Sequence, residues 1–263
     1  MPRFDPHPEL RPAVVTGASA GIGAATATAL AAAGHPVILA ARRVERLADL
    51  AAQLQAGGAT ALALPLDLAD PASIDAFADR AADALGPLDV LVNNAGVVEI
   101  MTGAGADPDE FAASVQVNLL GAHRLAARLA PAMVGRGHGD VVFVTSDVVV
   151  RPRTRMAAYV TAKAGMEGLA RAMQMELEGT GVRVGMVRPG PSSTEQGTTW
   201  SEDAVNAVVA DWTTWGHMRH SGALLPRNVA DAIVAMVSAP KGTHLTLIEV
   251  QPEAPVRPDR THE

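Results

Sequence analysis

The sequence predicts an α/β fold, a doubly wound parallel sheet of seven strands within a single domain. Two observations carry that prediction. Seven short apolar runs, rich in Val, Ile and Leu, show little polar alternation, as strands covered on both faces do. Between them lie longer Ala-rich segments of helical period, such as "AATATALAAAG" and "VERLADLAAQLQAGG", that stop at glycine. Strand and helix alternating along the chain mean βαβ units. No further repeat and no linker divides the 263 residues, a length that α/β folds use as one unit.

Composition narrows the function classes. With 48% hydrophobic and 19% charged residues the chain can bury a sizeable core, which excludes general disorder. A net charge of −7 argues against a nucleic-acid binder, which needs a basic face. The absence of cysteine removes disulfides and thiolate metal sites and points to a reducing cytoplasm. The start, "MPRFDPHPELRP", lacks the apolar run of a leader, and no run of 18 apolar residues offers a membrane span. The proline-rich, charged end "PEAPVRPDRTHE" reads as a solvated tail.

In such sheets ligands bind beyond the carboxyl ends of the strands, so each strand end is read in turn. The first run, "PAVVTG" (12–17), leads into "TGASAGIG", where Gly17, Gly21 and Gly23 fall at a strand-to-helix turn. Glycines there let backbone N–H groups approach a pyrophosphate, which a helix N-terminus then stabilises. Their spacing, G-x-x-x-G-x-G, differs from the common G-x-G-x-x-G, and a merely flexible turn is the competing reading. The second run, "PVILAA" (36–41), ends at Ala41 and is followed by Arg42 and Arg43 with no acid. A carboxylate at this place suits a ribose diol, whereas a guanidinium suits a 2′-phosphate. Arg42 is read as the phosphate ligand; Arg43 divides evenly between that role and a solvated surface. The third run, "TALALPLDL" (60–68), ends in Asp67, placed to meet an adenine amino group. The fourth, "LDVLVNNAG" (88–96), ends in the small, polar Asn93–Gly96 turn, and the fifth, "DVVFVTS" (140–146), in Ser146. The sixth, "VRVGMVRPG" (182–190), runs on to Thr194, and the seventh is "HLTLIEVQ" (244–251).

Between the fifth and sixth strands, "MAAYVTAKAGMEGL" holds the only tyrosine, Tyr159, four residues before Lys163. On a helix that spacing puts phenol and ammonium on one face, although such pairs also arise by chance. In order and spacing, "TGASAGIG", "NNAG", Ser146, "YVTAK" and "RPGPSST" resemble the short-chain dehydrogenase/reductase family over roughly residues 12 to 251. The resemblance implies a Rossmann-like dinucleotide-binding domain and a catalytic group of Asn118, Ser146, Tyr159 and Lys163. It implies NADP(H) contacts at Gly17, Ser19, Gly21, Ile22, Gly23, Arg42, Arg43, Asp67, Leu68, Asn93, Asn94, Ala95, Gly96, Tyr159, Lys163, Pro189, Gly190 and Thr194. Tyr159 is then the proton donor, Lys163 the charge that lowers its pKa and the holder of the nicotinamide ribose. Ser146 orients the carbonyl, and Asn118 holds a relay water. Many NADP-using relatives carry a further basic residue inside the glycine turn, where this chain has Ala20, which leaves phosphate recognition mainly to Arg42.

The expected activity is interconversion of a ketone or aldehyde with an alcohol; the alternative is a non-catalytic NADP-binding sensor or interaction protein. An enoyl reductase or epimerase is disfavoured by the unaltered Ser146–Tyr159 interval. The resemblance implies a lid in residues 195–225, whose Trp200, Trp212, Trp215, Met218 and Leu224 are expected to wall a pocket for a hydrophobic or cyclic substrate. No arginine in 195–215 awaits a carboxylate, although Trp212 and Trp215 could equally pack as structural anchors. Segments 107–135 and 156–179 are expected as long helices, and the resemblance implies that they pair across a two-fold axis in a homodimer or homotetramer. His217 and His220 lack a third partner for metal, Asp89 and Asp140 are expected to cap turns, and 135–140 to form a flexible loop.

Overall fold

Each apolar run contains a strand: β1 (Ala13–Thr16), β2 (Val37–Ala41), β3 (Ala61–Pro65), β4 (Val90–Asn93), β5 (Gly139–Val144), β6 (Val182–Pro189) and β7 (Leu247–Val250). The computed structural model describes residues 7–8, 11–197, 200–218 and 220–255; most of the polar start and of the charged tail lies outside them. The sheet order is β3-β2-β1-β4-β5-β6-β7, and all neighbours are parallel. Order reverses between β1 and β4, so the connections leave on opposite faces and open a crevice above that junction.

Among the described residues there are eight α-helices: α1 (Gly21–Ala32), α2 (Val44–Ala56), α3 (Pro71–Leu85), α4 (Pro108–Val115), α5 (Gly121–Arg136), α6 (Ala157–Glu176), α7 (Glu202–Thr214) and α8 (Pro226–Val237). Their ends follow local chemistry. Asp70 and Asp107 cap α3 and α4 by accepting from Ala72 N and Asp109 N, at 2.9 and 2.8 Å. Each is followed by a proline whose missing N–H would have gone unpaired anyway. Gly137, in the left-handed conformation at φ 73°, stops α5. Among the described residues no helix is long and apolar enough to cross a membrane.

Two cores result, one on each face. Val14, Leu91 and Phe143 point toward Phe77 of α3, Leu125 and Met133 of α5 and Met166 of α6. Their neighbours Val15, Val92 and Val142 point toward Leu30 of α1, Leu47 of α2 and Ile233 of α8. The expected two-sided burial therefore holds for the central strands. It fails at the edges, where β3 is partly exposed and β7 alternates between exposed and half-buried, because an edge strand has a neighbour on one side only.

The helix expected over 107–135 is present but not regular. A π-helical turn, Gln116–Leu120, joins α4 to α5. The extra residue in that turn carries Asn118 inward to full burial. Gly121 follows it, where a Cβ would collide with the Leu68 carbonyl oxygen.

The amino ends of the strands are held by buried charge. Arg11 donates to both Asp89 and Asp140, His138 pairs with Asp89, and Arg183 forks onto Asp140 at 2.7 and 2.8 Å. Asp89 and Asp140 are thus ion-pair partners rather than turn caps. Segment 135–140 is no free loop either: Arg136 donates to the Leu88 carbonyl, and Gly139 and Asp140 already belong to β5. At the same end Lys241 donates to the Gly181 carbonyl at 3.1 Å.

A second buried ion pair fixes α6. Arg188 of β6 donates through Nε and one terminal nitrogen to Glu167 of α6, at 2.8 and 2.7 Å, and through the other to Glu249 of β7 at 2.9 Å. Thr145, at the end of β5, donates to Glu167 at 3.1 Å. Glu167 and Arg188 are 3% and 6% exposed, so removing Glu167 leaves two of the three bonded guanidinium nitrogens unpaired in low dielectric, with Glu249 alone as counter-charge. Glu167→Ala should therefore cost about 3 kcal/mol of unfolding free energy in urea. Glu167→Leu combined with Arg188→Met should recover much of that loss. A single-variant loss under about 1 kcal/mol would mean that the pair does not hold the helix.

Candidate active site

The crevice floor is tied by one hydroxyl. Thr16 Oγ1, at the tip of β1, donates to Val92 O at 3.3 Å and accepts from Asn94 N and Ala95 N, each at 3.0 Å. Asn94 returns a bond from Nδ2 to Thr16 O at 2.8 Å. The turn after β4 is thereby clasped to the glycine turn after β1. A Cβ at Gly17 would lie 2.9 Å from Ala95 Cα, so only glycine allows that approach. Gly23 departs from expectation: it does not line the crevice, and a Cβ there would meet Gly17 O and stand 2.6 Å from Asn94 Nδ2. It is a packing glycine beneath the turn. Asn93 departs too. Strand alternation turns its side chain into the protein, where it is 1% exposed, and Asn94 faces the crevice instead.

Above this floor lies a cleft of about 760 Å³ that runs from Arg42 and Arg43 past Gly17, Ser19, Gly21 and Ile22. Asp67 and Leu68, then Asn94, Ala95 and Gly96, line it further, with Pro189, Gly190 and Thr194 on the β6 side. The N-cap of α1 is Ala20, which has no side-chain bond to give, so the first N–H groups of α1 face the cleft uncapped. Asp67 turns one carboxylate oxygen to Ala69 N at 2.9 Å.

The other end of the cleft holds Ser146, Tyr159 and Lys163. Tyr159 and Lys163 occupy one stripe of α6, with Glu167 one turn further along, and all three are buried. Lys163 Nζ donates to Val144 O at 2.8 Å and lies 5.6 Å from the centre of the Tyr159 ring. Asn118 stands behind Gly96, outside the cleft lining. Its Nδ2 donates to Val97 O and Ser114 O at 2.9 and 3.0 Å, and its Oδ1 accepts from Val97 N at 3.0 Å. Its amide fixes the backbone of the cleft wall.

Residues 195–225 contribute only part of the expected wall. Trp200 and Trp212 line the cleft, donating to Val98 O at 3.1 Å and Thr154 O at 3.0 Å. Trp215 and Met218 are exposed outside it, and Leu224 is buried in the α1–α8 core. Thr198, Thr199 and Arg219 lie outside the described residues. His220 Nδ1 accepts from Gly222 N at 3.0 Å within its own turn. An arginine does reach the cleft, but from the β5–α6 loop: Arg153 is bonded to Asp147 at 3.0 and 2.6 Å and stacks 5.5 Å from the Trp212 ring. Its neighbour Arg155, left-handed at φ 61°, pairs with Asp211 of α7 at 2.6 Å. The sequence pattern flagged the tryptophans through their clustering and carried no sign of Arg153 or Asp147 as wall residues.

Residues 11–205 match the family described as short chain dehydrogenase. The chain belongs to this family. It is thereby an oxidoreductase. The glycine betaine reductase ATRR of Emericella nidulans is 34% identical over 241 residues, which cover 91% of this chain but only 18% of that protein. The 2,3-dihydro-2,3-dihydroxybenzoate dehydrogenase of Bacillus subtilis is 31% identical, with 89% of this chain and 91% of that one covered. A solved alcohol dehydrogenase from Thermococcus sibiricus, complexed with 5-hydroxy-NADP, superposes with a TM-score of 0.80 at 30% identity, over 95% of this chain and 100% of its own.

In this short-chain dehydrogenase, burial dominates the electrostatics of the Tyr159–Lys163 pair. Desolvation pushes the Tyr159 phenol up to about 12, against an opposing contribution from the Ser146 hydroxyl. The expected lowering by Lys163 is absent, because desolvation drops that ammonium to about 8 and its Nζ is turned toward Val144 O. An unfolded lysine titrates near 10.5, so between pH 8 and 10 the unfolded chain binds the extra proton and stability rises with pH. Each pH unit in that window should add up to about 1.4 kcal/mol to the protein without cofactor, relative to Lys163→Met. Parallel urea-unfolding profiles of the two proteins from pH 8 to 10 would contradict a buried, charge-penalised Lys163.

Proposed function

We propose that the chain is an NADP(H)-dependent oxidoreductase that interconverts a ketone or aldehyde with an alcohol. One observation carries the reading: Ser146, Tyr159 and Lys163 line the same cleft that Arg42, just beyond the tip of β2, lines at its far end. The residues fit the dinucleotide. Gly17 lets the glycine turn close onto Ala95 at the cleft floor, the uncapped first turn of α1 offers N–H donors to a pyrophosphate, and Arg42 offers a guanidinium to a 2′-phosphate. When bound, the cofactor supplies or accepts a hydride at the carbonyl carbon.

The chain's own residues do the rest. Tyr159 keeps its proton at neutral pH and donates it to the substrate oxygen as negative charge develops there. Ser146 donates a hydrogen bond to that oxygen and orients it. Lys163, buried beside the phenol with a pKa of about 8, is suited to hold ribose hydroxyls and to exchange the proton that Tyr159 has given up. Asn118 holds the wall at Val97 in register with Gly96; a relay water belongs near it in this scheme. Trp200 and Trp212, with Val98, Val148 and Met156, support an apolar or cyclic substrate, since Arg153 already has its carboxylate in Asp147. Residues 195–225 act as the lid that excludes water. The half-exposed Leu120, at the end of the π-helical turn, is consistent with pairing of α4–α5 faces between subunits.

Tyr159→Phe should lower kcat for ketone reduction by about a hundredfold or more, with NADPH affinity retained, because the ring packs as before. A variant that keeps most of its turnover would leave a sensor as the better reading. Arg42→Ala should weaken NADPH binding by about ten- to a hundredfold and leave NADH unchanged. Equal losses for both cofactors, measured by fluorescence titration, would remove Arg42 from the phosphate site.

A further inference from the structure

The cleft mouth carries a carboxylate that the proposed cofactor site does not use. Glu195 follows Thr194 and lines the cleft. It accepts from Arg43 at 2.8 Å, and its two oxygens accept from one terminal nitrogen of Arg46 at 2.8 and 2.9 Å. Arg43 also gives two bonds to Ser19 Oγ in the glycine turn, at 3.1 and 2.9 Å. Thr194 sits 3.4 Å from where a Cβ of Gly21 would be. Segment 194–195 therefore crosses the first turn of α1 and ends on two guanidinium groups at the edge of the adenosine subsite.

We infer that Glu195 is a specificity-determining residue: its carboxylate occupies the guanidinium of Arg43 that a 2′-phosphate would engage, and so weakens discrimination in favour of phosphorylated dinucleotides. The inference rests on the NADP(H) reading. Carboxylate and phosphate both only accept, and both carry negative charge. A 2′-phosphate arriving beside Arg42 meets Arg43 already bonded and a like charge beside it. Arg42 itself makes no side-chain hydrogen bond or ion pair among the described residues, which leaves it as the unshared cation of the subsite. Hydrogen bonds from Arg43 and Arg46 hold the Glu195 carboxyl below its usual range, so it is an anion at any neutral assay pH. Arg43, Arg46 and Glu195 are about half exposed, at 47%, 50% and 52%, so these bonds are screened and exchangeable. That is what lets Glu195 act as a competitor and not as a permanent lock.

The test titrates the intact protein and Glu195→Gln with 2′,5′-ADP and with 5′-AMP, which differ by the phosphate alone. The wild type should bind 2′,5′-ADP more tightly. Glu195→Gln should gain about three- to tenfold for 2′,5′-ADP and change less than about twofold for 5′-AMP. The gain should shrink in high salt and vanish when Arg43→Ala is added. Glu195→Ala should repeat the direction. If the wild type prefers 2′,5′-ADP but the variants leave the preference unaltered, or shift both ligands alike, Glu195 is not a specificity residue. If no protein distinguishes the two nucleotides, the NADP(H) reading fails, and the inference with it.

Discussion

The site depends on where α6 sits, and one buried ion pair decides that. Tyr159, Lys163 and Glu167 share a stripe of the helix at four-residue intervals. The last of them is tied across to β6 by two bonds from Arg188, and Lys163 adds a bond to Val144 O at the end of β5. The same carboxylate accepts from Thr145, the residue before Ser146. A single acidic group thus fixes the rotation of the helix that carries the phenol and the ammonium. It also fixes the end of the strand that carries the serine. Burial by itself would raise the Glu167 carboxyl, but the Arg188 bonds bring it below its ordinary value, so the charge persists.

Upstream in the fold, a similar economy sets the crevice. The Thr16 hydroxyl has one proton and two lone pairs, and it uses all three, on Val92, Asn94 and Ala95. Backbone that would otherwise wander at the reversal of strand order is held by one side chain. Helix α7 takes its hold on a neighbouring loop. Trp212 bonds to Thr154, Asp211 to Arg155 and the Trp212 ring meets Arg153, all from the segment between Ser146 and Tyr159. Movement of α7 is therefore felt by the loop that joins the two hydroxyl-bearing residues.

The layout of the sheet was legible because parallel strands announce themselves as unbroken apolar runs with glycine and proline between them. All seven appear within a few residues of their expected places. What the pattern could not resolve was orientation at the ends. Asn93 and Asn94 look alike in a string, and only strand alternation turns one inward and the other toward the cleft. Gly21 and Gly23 share a motif, yet one lines the cleft and the other packs beneath it. Asn118 lay on an expected regular helix, and the π-helical turn that rotates it inward has no sequence mark of its own. Charges far apart in sequence were least legible. Glu167 with Arg188, Arg11 with Asp140 and Glu195 with Arg43 are joined only once the sheet is assembled.

The lysine inventory has a practical side. The chain has 21 Lys and Arg residues together, and only Lys163 and Lys241 among them are lysines. Lys163 lies buried in the cleft, whereas Lys241 sits by Gly181, just before β6 begins, at the sheet end away from the cleft. Chemistry aimed at lysine side chains therefore meets one reachable address. A protein tethered to a solid support through Lys241 would stand with its cleft facing the solution.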